Sequence, residues 1–339
     1  MVTKELVTKV QECGKEGRRL VVPLMGFPGL SITDCTVKLA QQNYGEHFKV
    51  IKALADRFQP DIIFPLMDLA VEANALGRYT VFPKRDSATV VKDTFDMAEL
   101  QAQKDINMAF DTRIIGYVEV EKLMNIGLNH KIMRGAYVTG PYSLAALMMG
   151  ADEAAMATVL KPKELELLCQ FTTDKIQQYA RQLIAAGAEV ICILEPSAVM
   201  LGPEQFHQFS SQFVKHLNDS CKYTGVATVY HTCGNTMHLI DKMVEADVDA
   251  ISLDSPGIGV DLPEAAKRVP DNVVIMGNIN PTGAILNGAP HQVQQEVYAL
   301  LETMRDFPNY VLSTGCDLPQ ETPLENIKAF MEAGRNYRI

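Results

Sequence analysis

The chain has 339 residues, of which 47% are hydrophobic and 21% charged, and it carries a formal net charge of −10. A chain of this length and composition can bury a large core without disulfide staples. Its acidic balance argues against duplex nucleic acid and anionic membrane as main partners, since clustered Lys and Arg grip both.

Residues 1–20 read as an amphipathic helix with charges throughout, an N-terminal helical extension that lacks the apolar stretch of a signal peptide. No later segment approaches the ~18 uninterrupted apolar residues of a membrane span. Seven cysteines, an odd number scattered along the chain, fit a reducing cytoplasm better than a disulfide framework.

Eight short apolar, β-branched runs follow: Leu20–Met25, Asp61–Pro65, Gly135–Thr139, Val190–Leu194, Ala227–Tyr230, Ala250–Leu253, Val273–Met276 and Tyr310–Ser313. Helical patterns lie between them at Pro162–Ala186, Pro203–Tyr223, Met237–Ala246, His291–Arg305 and Leu324–Tyr337. Continuous apolar runs suit parallel strands covered on both faces. Eight of them with helical crossovers predict an α/β fold, a (β/α)8 TIM barrel forming one domain over 1–339. A doubly wound sheet would show a glycine fingerprint after its first strand, where this chain has Gly26-Phe27-Pro28-Gly29. Residues 78–93 read as a hairpin excursion after the second strand.

Barrel chemistry sits where the strands end, because eight loops converge there. The second run leads to Asp68 and Glu72, the third to Gly140-Pro141-Tyr142, the fourth to Glu195, and the fifth to His231-Thr232-Cys233-Gly234. The sixth ends in Asp254, the seventh in Gly277-Asn278 and the eighth in Gly315-Cys316-Asp317. Glu195, Asp254 and Tyr142 are candidate catalytic groups; Asp68, Glu72, Asn278 and Asp317 are candidates for lining the substrate pocket.

His231 and Cys233 stand at i, i+2 in extended chain, so both face one way. Cys316 follows the last strand, which the barrel closes toward the same mouth. One imidazole and two thiolates form a soft donor set that selects Zn2+ over magnesium or calcium. Three protein ligands leave a fourth place, as in catalytic zinc. Asp254 is either a displaceable fourth ligand or a hydrogen-bond partner of a ligand residue. Two protein thiolates leave the ion little net charge, so this centre suits alkyl transfer to sulfur better than water activation.

These motifs resemble the uroporphyrinogen decarboxylase superfamily, and within it the methylcobamide:coenzyme M methyltransferases. The resemblance rests on Asp68-Leu69-Ala70-Val71-Glu72-Ala73, Gly140-Pro141-Tyr142-Ser143-Leu144, Glu195-Pro196-Ser197-Ala198, His231-Thr232-Cys233-Gly234, Gly277-Asn278-Ile279-Asn280-Pro281 and Gly315-Cys316-Asp317-Leu318. It implies a zinc held by the H-x-C…C set, an acid at the sixth strand as a labile ligand, coenzyme M or a similar small thiol as acceptor, and methylcobalamin or another corrinoid carried by a partner protein. A tetrahydrofolate (pterin) acceptor and a non-catalytic corrinoid- or metal-binding barrel are the rival readings. Porphyrinogen decarboxylation is disfavoured, because the loop after the first strand has no arginine and the inferred mouth is acidic. The sequence leaves the oligomeric state open, a homo-oligomer included.

Overall fold

The computed structural model describes residues 5–92, 95–98, 100 and 103–339. Eight parallel strands surround a lumen in the order β1 (Val21–Val22), β10 (Tyr310–Thr314), β9 (Val274–Ile279), β8 (Ala250–Leu253), β7 (Ala227–Thr232), β6 (Val190–Leu194), β5 (Met133–Thr139), β2 (Ile62–Ile63). This is the expected (β/α)8 barrel. The first two strands are shorter than their apolar runs, and β1 forms no ladder with β2. Asp61 closes that seam: its N–H donates to the Val21 carbonyl (3.1 Å) and its Oδ2 accepts from the Val21 N–H (2.7 Å).

The strands read as unbroken apolar runs because each residue meets a core on one side or the other. In β6, Val190, Cys192 and Leu194 fill the lumen, whereas Ile191 and Ile193 pack under the helix layer. Helix Glu5–Lys15 covers the lumen at the end where the strands begin, with Leu6, Val10 and Cys13 joining the lumen cluster of Ile62, Met133, Val190 and Ala227. Its residues 1–4 lie outside the described part of the chain. With that end closed, the mouth lies at the strands' C-terminal ends.

The hairpin after β2 is present as β3 (Thr80–Val81) and β4 (Thr89–Val90), paired antiparallel; residue 93 of the expected span lies outside the described residues. Helix Pro162–Ala186 has its expected bounds. Two other helices differ from their sequence patterns. The 203–223 pattern breaks at a π turn, His207–Ser211, which carries Ser210 to a buried carboxylate described below. The 237–246 pattern shrinks to Ile240–Val244, because the preceding residues form turns. Among the described residues, no single helix is long and apolar enough to cross a membrane.

Candidate metal centre

His231 occupies the last turn of the β7 ladder with its side chain fully buried, and Cys233 follows just past the strand. His231 Nε2 lies 3.2 Å from Cys233 Sγ. Cys316 Sγ lies 3.4 Å from Cys233 Sγ and 3.9 Å from His231 Nε2. All three ligand atoms fall within 4.8 Å of one another, the only such His/Cys/Asp/Glu group among the described residues. A tetrahedral zinc with ordinary bond lengths needs about 3.8 Å between sulfurs and about 3.6 Å between nitrogen and sulfur. The set therefore fits one ion with sub-ångström adjustment. Both cysteines are free and partly exposed, so the centre opens to the mouth.

Two glycines make this convergence possible. Gly234 adopts φ +99°, the left-handed region a side chain resists, and a Cβ there would meet Val199 at 2.8 Å. The turn aims the Gly234 N–H at Asp254 Oδ2, 2.9 Å away. At Gly315 a Cβ would lie 2.6 Å from the Ser255 backbone nitrogen, so only glycine lets the loop after β10 press against the end of β8 and deliver Cys316. Crowding by Cys233, followed by burial, pushes the Cys316 thiol well above its usual range, while His231 opposes the shift. A cation held between the sulfurs would reverse that balance.

The remaining candidates occupy different surroundings. Asp254 spends both oxygens on backbone, Oδ1 accepting from Ser255 N (2.6 Å) and Oδ2 from Gly234 N. It stands beside the ligand loop but outside the mutually close set. Asn278, on β9, holds the loop after β8, its Nδ2 donating to the Asp254 carbonyl (2.9 Å). Asp317 is half-buried with its carboxyl oxygens enclosed; burial pushes the carboxyl up to about 7, opposed by the backbone amides of Gly26, Leu318 and Met67.

Four candidates turn away from the sulfurs. Glu195, expected at the chemistry, is fully buried as a clamp: Oε1 accepts from Tyr142 N (3.0 Å) and Ser210 Oγ (2.9 Å), and Oε2 from Ser143 N (2.8 Å). It thereby caps helix Pro141–Met149, whose first amides have no other partner. Tyr142 packs its ring into the helix-layer core rather than the lumen. Glu72 accepts from Thr139 N (2.7 Å) and Thr139 Oγ1 (2.8 Å), tying the loop after β2 to β5. Asp68 pairs with the buried Arg113 and accepts from Tyr117 Oη (2.9 Å) and Ala70 N (2.9 Å). In each case the carboxylate or ring serves the scaffold of the mouth, which a strand-end position alone does not distinguish from a place in the site.

Two neighbours of the centre were missed in the sequence. Ser252, on β8, places Oγ 3.0 Å from His231 Nδ1. Tyr137 projects from β5 into the lumen, stacked on Phe64 at 4.8 Å. Its phenol is pushed well up by burial and then by Asp317 and the thiols of Cys192, Cys316 and Cys233. Strand alternation carried the signal for both: Ser252 precedes Asp254 by two, and Tyr137 precedes Thr139 by two.

Comparison with known proteins identifies the family. The family model described as uroporphyrinogen decarboxylase (URO-D) matches residues 34–337. The methylcobamide:CoM methyltransferase MtbA of Methanosarcina mazei is 29% identical over 276 residues, 80% of this chain and 78% of that protein. The uroporphyrinogen decarboxylase of Prochlorococcus marinus is 24% identical over 288 residues, 82% of this chain and 80% of that protein. A solved methyltransferase structure from Methanosarcina mazei superposes with a TM-score of 0.87 at 20% identity, covering 99% of each chain, and so shares the fold. The chain belongs to the uroporphyrinogen decarboxylase family.

Proposed function

We propose that this protein is a corrinoid-dependent methyltransferase that moves a methyl group from a methylated corrinoid, carried by a partner protein, to a small thiol at a zinc held by His231, Cys233 and Cys316. The observation that carries the reading is the convergence of three ligand atoms, one imidazole nitrogen and two thiol sulfurs, at the C-terminal ends of the strands. The likeness to a methylcobamide:CoM methyltransferase over four-fifths of the chain supports it.

Bound there, zinc would lower the acceptor thiol's pKa and keep the acceptor a thiolate at neutral pH. The residues of the chain do the rest. Two cysteine thiolates offset the charge of the ion, so the acceptor sulfur stays nucleophilic. Asp254, both of whose oxygens accept from backbone amides, fixes the turn after Cys233. Helix Glu5–Lys15 covers the other end of the lumen, so substrates would reach the centre from the mouth. Such a transfer would form the acceptor's sulfur–carbon bond and break the donor's carbon–cobalt bond, the bonding pair staying with the corrinoid.

Decarboxylation of a polycarboxylate fits poorly. The loop after β1 offers no cation, and Arg113, the buried guanidinium near the mouth, is engaged by Asp68 and Asn74. The test is loss of methylcobalamin absorbance when zinc-loaded protein meets a panel of small thiols. Thiol-dependent loss supports the reading. Loss with tetrahydrofolate alone would move the acceptor to a pterin, and loss with neither would favour a binding protein.

A further inference from the structure

The ligand pair on β7 has a counterpart on the neighbouring strand. His231 is paired in register with Ser252 on β8, and two residues further Asp254 faces the turn after Cys233. The H-x-C ending one strand is thus matched by an S-x-D on the next: Ser252 meets His231, and Asp254 accepts from the Gly234 N–H just after Cys233. Ser252 is 2% exposed and His231 fully buried, so solvent does not replace that contact.

We infer that Ser252 is a positioning residue of the metal centre, acting through His231; the inference rests on the metal-site reading above. A neutral imidazole has one N–H and one lone pair. For Nε2 to face a metal with its lone pair, Nδ1 must carry the proton, and the Ser252 oxygen 3.0 Å away accepts it. Without metal, the opposite tautomer lets Nε2–H point at Cys233 Sγ, 3.2 Å away, while the Ser252 hydroxyl donates to Nδ1. A hydroxyl can do both by rotating its hydrogen, so loading the centre requires no movement of the ring. A carboxylate in the same place would accept only, and would add a negative charge to a centre that two thiolates already neutralise.

The test is zinc affinity, measured by competition with a chromophoric chelator, in wild type, Ser252→Ala and Ser252→Thr. Ser252→Ala should bind zinc about 10–100-fold more weakly, the usual loss for a ligand-orienting partner, and Ser252→Thr should restore most of it. A second measurement uses the wild type alone: imidazole 15N shifts of zinc-loaded protein should report His231 protonated at Nδ1. Unchanged affinity in a folded Ser252→Ala protein overturns the inference and leaves the metal site standing, whereas an Nε2-protonated His231 in the loaded wild type contradicts ligation through that nitrogen and overturns both. Failure of the wild type to take up zinc removes both.

Discussion

The sulfurs of Cys233 and Cys316 lie 3.4 Å apart although 83 residues separate them in the chain. Barrel closure and the glycine at 315 produce that proximity, and it has a chemical consequence. Two thiols so placed need little motion to join. Metal-free protein treated with peroxide should form a Cys233–Cys316 disulfide, losing two thiols by titration while the peroxide is reduced to water. Prior zinc loading should protect both. Independent overoxidation of the two cysteines, without a crosslinked peptide in the mass spectrum, would count against the geometry.

Asp68 and Arg113 form a buried ion pair beside the mouth, with side-chain exposures of 1% and 9%. Removing one partner strands the other charge. Arg113→Met or Asp68→Ala should each destabilise by about 3–5 kcal/mol, whereas the double replacement should recover much of the loss. Denaturant unfolding of the three variants checks this cycle. Additive losses would show that the two residues act separately.

Glu72 and Glu195 are both pushed up to about 7 by burial. A carboxyl whose folded pKa exceeds its unfolded value of about 4.3 binds its proton more tightly when folded. Its stabilisation is therefore complete below that value, falls as pH rises toward 7, and levels off above. Glu72→Gln should flatten this slope at little loss of stability. The amide oxygen can accept from Thr139 N while the NH2 donates to Thr139 Oγ1, which can turn its own proton to the Leu69 carbonyl (3.4 Å).

Glu195→Gln should behave differently. Three donors converge on that carboxylate, so a glutamine NH2 must face one of them. A loss of about 1–3 kcal/mol is expected. Unfolding free energies from pH 5.5 to 8 distinguish the two variants, and equal behaviour would contradict the hydrogen-bond assignments.

The barrel was legible because its strands are apolar on both sides, which parallel strands require and alternating ones lack. The convergence of His231, Cys233 and Cys316 was legible too, since the first two share a face of the chain and Cys316 follows the strand that closes the ring. The acids were harder to place. Glu195 follows β6 and Glu72 lies in the short helix Val71–Ala75 after β2, and only the folded arrangement reveals that amides and a threonine consume their oxygens. Ser252 escaped notice because a serine in a strand reads as filler until its register partner is known to be a histidine. The π turn at His207–Ser211 had no local signal either; its purpose lies in Ser210 reaching a residue fifteen positions earlier.

The most direct test of the account is zinc stoichiometry and affinity in the wild type and in Cys316→Ala, with unfolding curves to confirm that both fold. The account predicts one zinc per wild-type chain, and a loss in the variant exceeding the roughly 10–100-fold that an outer hydrogen-bond partner contributes. Full stoichiometry and unchanged affinity after that substitution would contradict it.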